Sequence, residues 1–145
     1  MKTYTYNYPK PSVTIDCIIL RINEGKKEIL LIRRKHDPFV GKWALPGGFV
    51  EIDEDLAEGA IRELEEETGL DGISLKQFKT YGKPGRDPRG RTISVVYHGI
   101  LNDMSAEIRA GDDAEHVGWF DLSKLPALAF DHERILNDFL MQIED

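Results

Sequence analysis

Cysteine is almost absent from this 145-residue chain: Cys17 stands alone, so no internal disulfide can form and a reducing, cytoplasmic setting is expected. It lies in the apolar run VTIDCIIL and reads as a packed core thiol. Long hydrophobic runs are missing too. Nothing approaches the roughly 20 apolar residues that span a bilayer, and the start MKTYTYNYPKPS lacks the apolar stretch of a signal peptide. No membrane association is therefore expected. A basic stripe is also lacking in a chain of formal charge −7, which disfavours direct nucleic-acid binding. Repeats, low-complexity tracts and long linkers do not occur, and the length suits one domain, 1–145, around one core.

What is present in excess is acid, and it is local. Residues 51–67 hold nine acids against one base, Arg62, a charge of −8 that leaves +1 for the rest of the chain. Such a concentrated patch points to a cation.

Hydrophobic patterning and turn residues order the chain. Residues 1–11 read as an extended arm, with Pro9 and Pro11 blocking a helix. Strands are expected over 12–22 and 28–35, a short one around Trp43–Leu45, and others over 73–82, 91–101 and 115–121. Pro46, Gly47 and Gly48 predict a tight, unusual backbone path. A helix is expected over 56–68, capped by Asp53 or Asp55, with Leu56, Ala57, Ala60, Ile61 and Leu64 as its apolar stripe and Gly69 as its stop. A last helix is expected over 131–143, with Asp131 as cap and Ile135, Leu136, Phe139, Leu140 and Ile143 on its buried face. Paired strands with two helices between them predict an α/β/α sandwich with a mixed β-sheet.

The stretch RELEEETGL (62–70) places four glutamates at the negative end of that first helix, where Lys or Arg would be favoured. Glu63, Glu66 and Glu67 share one face within about 100°, whereas Glu65 points away. Convergent carboxylates suit a hard divalent ion, Mg²⁺ or Mn²⁺, which would remove their repulsion. Arg62 can reach Glu58 or Glu66.

From Gly48 through Glu54 to Arg62-Glu63-Leu64-Glu65-Glu66-Glu67-Thr68-Gly69-Leu70 the chain resembles the Nudix box, G-x5-E-x7-R-E-U-x-E-E-x-G-U, at all nine constrained positions of 48–70. LPGG directly before the box is also typical of that family. The resemblance implies a Nudix fold and divalent-metal-dependent hydrolysis of a nucleoside diphosphate linked to X. It implies Glu66 and Glu67 as main ligands, Glu63 as ligand or general base, Glu54 as a further ligand, Arg62 as their holder and Gly48 turning tightly beside the metal. A loop carboxylate among Asp112, Asp113 and Glu115 would serve as ligand or base, with Glu115 favoured.

Outside the box, Pro84 in YGKPGRDPRGRTISVVY, the start YPKPSVTID and the late AFDHERIL resemble the ADP-ribose pyrophosphatase branch. The last two also resemble Nudix-related regulators of NAD metabolism. ADP-ribose cleavage to AMP and ribose 5-phosphate is therefore the expected reaction. Another nucleotide substrate, or sensing without catalysis, is the alternative. Arg86 and Arg89 either meet phosphate and ribose oxygens or belong to a solvated loop. Trp43 and Phe39 either stack on adenine or pack in the core, with packing preferred. One of Arg33, Arg34 and Lys35 is expected to touch phosphate, and Arg34 is carried forward. His98, His116 and His132 show no zinc spacing and read as structural. The arm leaves a homodimer open.

Overall fold

In the computed structural model, which describes residues 2–111 and 113–144, the elements run β1 (Ser12–Asn23), β2 (Lys26–Arg34), β3 (Trp43–Ala44), β4 (Gly47–Phe49), α1 (Leu56–Thr68), β5 (Lys76–Tyr81), β6 (Thr92–Ile100), β7 (Ala114–Asp121) and α2 (His132–Glu144). The described strands form one seven-stranded sheet of order β3-β2-β1-β6-β5, with β4 added to β1 and β7 to β2. It is mixed: β1 runs parallel to β6, from Ser12 opposite Thr92 to Leu20 opposite Ile100, and its other pairings are antiparallel.

The alternation of side chains along a strand divides β1 between two layers. Ile15, Cys17 and Ile19 pack under α1, against Ala60 and Leu64. Ile18 packs under α2, against Ile135, Leu136 and Phe139. The expected α/β/α sandwich is thus the observed one. Thr14 and Asp16 point to the α2 side beyond its apolar core, and both are buried.

Several expectations need correction. Pro46-Gly47-Gly48 is no tight turn: Gly47 and Gly48 form β4, with Gly47 opposite Asp16 and Gly48 opposite Ile15. β5 starts at Lys76 instead of Ile73. Ala57 and Ile61 lie on the exposed side of α1, where Gly59 and Thr68 complete the buried stripe. Ile143 is 46% exposed. Asp55 caps α1 by accepting from the Leu56 N–H at 2.7 Å, and Gly69 ends it at φ 79°. Residues 2–11 carry no helix or strand and bend at 7–8, with Tyr4, Tyr6 and Tyr8 exposed and Lys10 Nζ 4.2 Å from the Tyr6 ring centre. Among the described residues no helix is long and apolar enough to cross a membrane.

Candidate active site

The C-terminal half of α1, β4 and the N-terminal halves of β1 and β6 surround a cavity of about 450 Å³, within the usual range for a small-molecule site. Glu63, Glu66 and Glu67 line one side, and Arg34, Arg89 and Phe130 line another. Thr14, Asp16, Ser94 and His132 are buried residues of the same lining.

Arg62 organises the acidic wall. Its Nε and Nη2 donate to the two oxygens of Glu54 at 2.8 and 2.6 Å. Nη1 donates to Glu63 at 2.9 Å and to Glu66 at 3.1 Å, and Nη2 also donates to the Phe49 carbonyl at 3.2 Å. This fork matches carboxylate geometry, which a lysine could not do. Hydrogen bonds from Arg62 hold the Glu54 carboxyl down to about 2. Burial pushes Glu63 above the usual carboxylate range against the pull of Arg62. Glu67 is pushed well above that range by burial, with the charge of Glu63 next in importance. The Gly47 N–H donates to Glu67 Oε2 at 3.4 Å.

Two glycines make this wall by leaving space. A Cβ on Gly48 would lie 2.6 Å from Glu63 Oε1, and one on Gly47 would lie 2.0 Å from the Ile15 carbonyl oxygen. Their role is close approach of strand to strand and strand to helix. At the end of α1, Arg109 N–H donates to the Thr68 carbonyl at 2.9 Å and Gly111 N–H to the Glu67 carbonyl at 3.2 Å. Those bonds satisfy helix-end carbonyls and bring the loop carrying Asp113 to the cavity.

The donor set on this wall is all oxygen and its members repel one another, which fits a hard divalent cation. Among the described residues no three His, Cys, Asp or Glu side chains are already gathered closely enough to hold one. Arg62 Nη1 meanwhile pairs with Glu63 at 2.9 Å and Glu66 at 3.1 Å.

The opposite wall is clamped across distant parts of the chain. Arg86 donates to both oxygens of Asp131 at 2.8 and 2.7 Å and to Ser94 Oγ at 2.7 Å, with its side chain only 6% exposed. This is a buried bracket between the β5–β6 loop and the residue that precedes α2, and not a solvated loop. Asp131 directly precedes α2, and its carbonyl accepts from the Ile135 N–H at 3.1 Å. Arg89 pairs with both oxygens of Asp87, and its guanidinium lies 4.7 Å from the Phe49 ring centre and 4.8 Å from that of Phe130. Arg34 donates to the Pro38 carbonyl at 2.7 Å and lies 4.9 Å from the Phe130 ring. His132 accepts the Leu45 N–H on Nδ1 at 3.0 Å and turns Nε2 toward Asp16 Oδ1 at 3.7 Å. Burial lowers His132 to about 4 and raises Asp16 to about 7.

Other expected site residues lie elsewhere. Trp43 packs edge-on against Phe120, 4.6 Å between ring centres, as a core residue outside the lining. Phe39 sits edge-on to Phe130. Glu115 occupies the irregular register between Arg33 and Arg34 and is exposed, 3.7 Å from Arg33 Nε. Asp113, from the same group of candidates, lines the cavity instead. Asp112 falls outside the described residues. Glu54 does not line the cavity, since Arg62 covers both its oxygens. Asp16, His132, Phe130, Phe49 and Asp131 carry no expectation from the sequence as site residues. An aspartate inside a buried apolar strand was the available signal, because such a group needs a partner.

A NUDIX domain model matches residues 11–139. An ADP-ribose pyrophosphatase from Methanocaldococcus jannaschii is 48% identical over 133 residues, 92% of this chain and 75% of that protein. The ADPR responsive transcriptional repressor NtrR of Acinetobacter baylyi is 36% identical, over 96% of this chain but 57% of its own length. Among solved structures, the NUDIX domain of Shewanella oneidensis NrtR complexed with ADP ribose superposes with a TM-score of 0.87 at 27% identity, covering 94% of this chain and 90% of that one.

Proposed function

This chain belongs to the Nudix family, and we propose that it hydrolyses ADP-ribose to AMP and ribose 5-phosphate. The observation that carries the reading is the cavity with the box carboxylates on one wall and arginines on the other, together with 48% identity to an ADP-ribose pyrophosphatase. We take residues 1–145 as one domain with the box at 48–70, working in the cytoplasm with a small nucleotide as partner. A homodimer through the arm at 1–11 is part of the proposal, and direct nucleic-acid binding is not.

Glu63, Glu66 and Glu67 would hold Mg²⁺, or Mn²⁺, beside Gly48. Such an ion, when bound, screens the pyrophosphate charge and acidifies water. Arg62 keeps the glutamates in register, and Glu54, bound through both oxygens, anchors Arg62. The oxygen of water bonds to one phosphorus, the bridging P–O bond to that phosphorus breaks, and the bridging oxygen leaves on the other phosphate. A proton from the water passes to a carboxylate at the cavity wall, which we assign to Asp113 in place of Glu115. Arg34 and Arg89 present guanidinium groups to the phosphates and riboses. Arg86 supports the wall behind them.

The test is turnover of ADP-ribose, NADH, diadenosine polyphosphates and nucleoside triphosphates with added Mg²⁺, products resolved by chromatography, with Glu66→Gln as control. Fastest cleavage of ADP-ribose that the control lacks supports the reading; preference for triphosphates overturns the substrate. The likeness to the NtrR repressor over 96% of this chain favours a second reading, a sensor domain. ADP-ribose binding without turnover by the unmutated chain would establish that reading instead.

A further inference from the structure

Asp16 is the one charged residue in the buried centre of β1, and its side chain is only 10% exposed. Among the described residues it accepts no hydrogen bond; His132 Nε2 stands 3.7 Å from its Oδ1. None of the described side chains has a fully enclosed polar atom without a partner, so the Asp16 oxygens that lack one reach the cavity that Asp16 lines. A carboxyl in this position, with most of its water removed, gains from any donor brought to it.

The neighbouring polar groups are already engaged. Thr14 and Ser94 share a hydroxyl hydrogen bond at 2.5 Å, Arg86 is held by Asp131 and Ser94, and His132 Nδ1 accepts from Leu45. Asp16 is left as the acceptor of this floor.

Beside it stands an aromatic platform. The Phe130 ring centre lies 5.4 Å from that of His132, which in turn faces Asp16. Phe130 has φ 53°, a conformation that a bulky L-residue adopts only at a cost, and such strain clusters at ligand sites. Phe39 supports its ring edge-on at 4.9 Å, and the guanidinium groups of Arg34 and Arg89 lie within 5 Å of it. The platform and Asp16 belong to the same cavity as the box carboxylates.

We propose that Phe130 and Asp16 form a nucleobase subsite: an adenine ring stacks on Phe130 in place of one of the guanidinium groups that lie over it, and its exocyclic amino group donates to the Asp16 carboxyl. Stacking supplies affinity for any base, and Asp16 supplies the choice. A carboxyl offers an acceptor oxygen whether or not it carries a proton, so recognition of an amino group does not depend on its ionisation. A base with a carbonyl at that position, such as hypoxanthine, would leave two acceptors facing each other when Asp16 is ionised. The inference rests on the reading of the substrate as an adenine nucleotide.

The test is calorimetric binding of AMP and of IMP to the full chain with Mg²⁺ present at about pH 8.5, where the Asp16 carboxyl is ionised. These ligands share ribose and phosphate and differ at the amino group, so a carboxyl that reads ribose hydroxyls would not separate them. AMP should bind about tenfold or more tightly than IMP, the worth of one hydrogen bond to a buried group. Asp16→Asn, whose amide both donates and accepts, should bring the ratio close to one. Phe130→Ala should weaken both ligands about tenfold with the ratio retained, and Phe130→Tyr should restore them. Equal binding of AMP and IMP by the unmutated chain overturns the proposal without recourse to any variant, as does an unchanged ratio in a folded Asp16→Asn protein. If ADP-ribose is not cleaved while the Asp16-dependent preference for AMP holds, the reaction assigned above falls and the subsite stands.

Discussion

Gly48 meets the Glu63 carboxylate so closely that a methyl group on its Cα would stand 2.6 Å from Oε1. The obstruction is the far end of a flexible side chain, which can swing aside. Gly48→Ala should therefore keep the fold and displace Glu63, lowering kcat about 100-fold, as a 1 Å misplacement can. Gly47→Ala should behave differently, because its methyl would meet the Ile15 carbonyl at 2.0 Å. Overpacking of backbone should reduce stability by about 1–3 kcal/mol or more. Thermal melts beside kinetics separate the two; equal loss of Tm in both variants would contradict this assignment.

Arg62→Lys keeps a positive charge but loses the fork that serves Glu54, Glu63 and Glu66 together. Activity should drop about 10–100-fold, the usual effect of removing a group that orients ligands. The loss should appear mainly in kcat and in the divalent-ion concentration for half activity. A change confined to the KM for ADP-ribose would instead place Arg62 against substrate.

Chelation with EDTA should abolish turnover and added Mg²⁺ or Mn²⁺ should restore it. Glu66 is exposed on α1, so Glu66→Gln should melt close to the unmutated protein while losing at least about 100-fold in kcat. Full activity in EDTA would remove the metal from the scheme.

Asp16 and His132 predict opposing pH effects in the metal-free protein. Asp16 titrates near 3.8 when unfolded and at about 7 when folded, so the native state holds the extra proton between these values and stability falls as pH rises. His132 titrates near 6.5 when unfolded and at about 4 when folded, so the unfolded state holds the extra proton there and stability rises with pH. Between about pH 4 and 6.5 the two slopes, each at most about 1.4 kcal/mol per pH unit, should largely cancel. Asp16→Asn should unmask a rising profile, and His132→Asn, which retains an acceptor near Nδ1, a falling one. Denaturant melts across this range would show it; parallel profiles for all three proteins would refute it.

The sequence was readable where its signals are local. Asp55 and Gly69 bracket α1, and the β-branched run of β1 marks its strand within a residue. The glutamates share a helix face because spacing alone determines it. β4 escaped because its two glycines suggest a turn, whereas they admit a carboxylate and a neighbouring strand. Half of the cavity also escaped, since it depends on pairings such as Arg86 with Asp131 and Asp16 with His132, made between segments far apart in the chain. Asp113 and Glu115 show the same limit: two residues apart, they differ in access because of an irregular register opposite β2, which composition does not reveal.

The alternation along β1 has a consequence for how such an enzyme can diversify. Ile15, Cys17 and Ile19 serve the α1 core, while Thr14 and Asp16, interleaved with them, line the cavity. A point change at Thr14 or Asp16 can alter what is recognised while the hydrophobic packing of Ile15, Cys17 and Ile19 stays intact. An insertion or deletion of one residue exchanges the two sets and destroys both. Substrate preference in this stretch is therefore free to drift by substitution and barred from drifting by length.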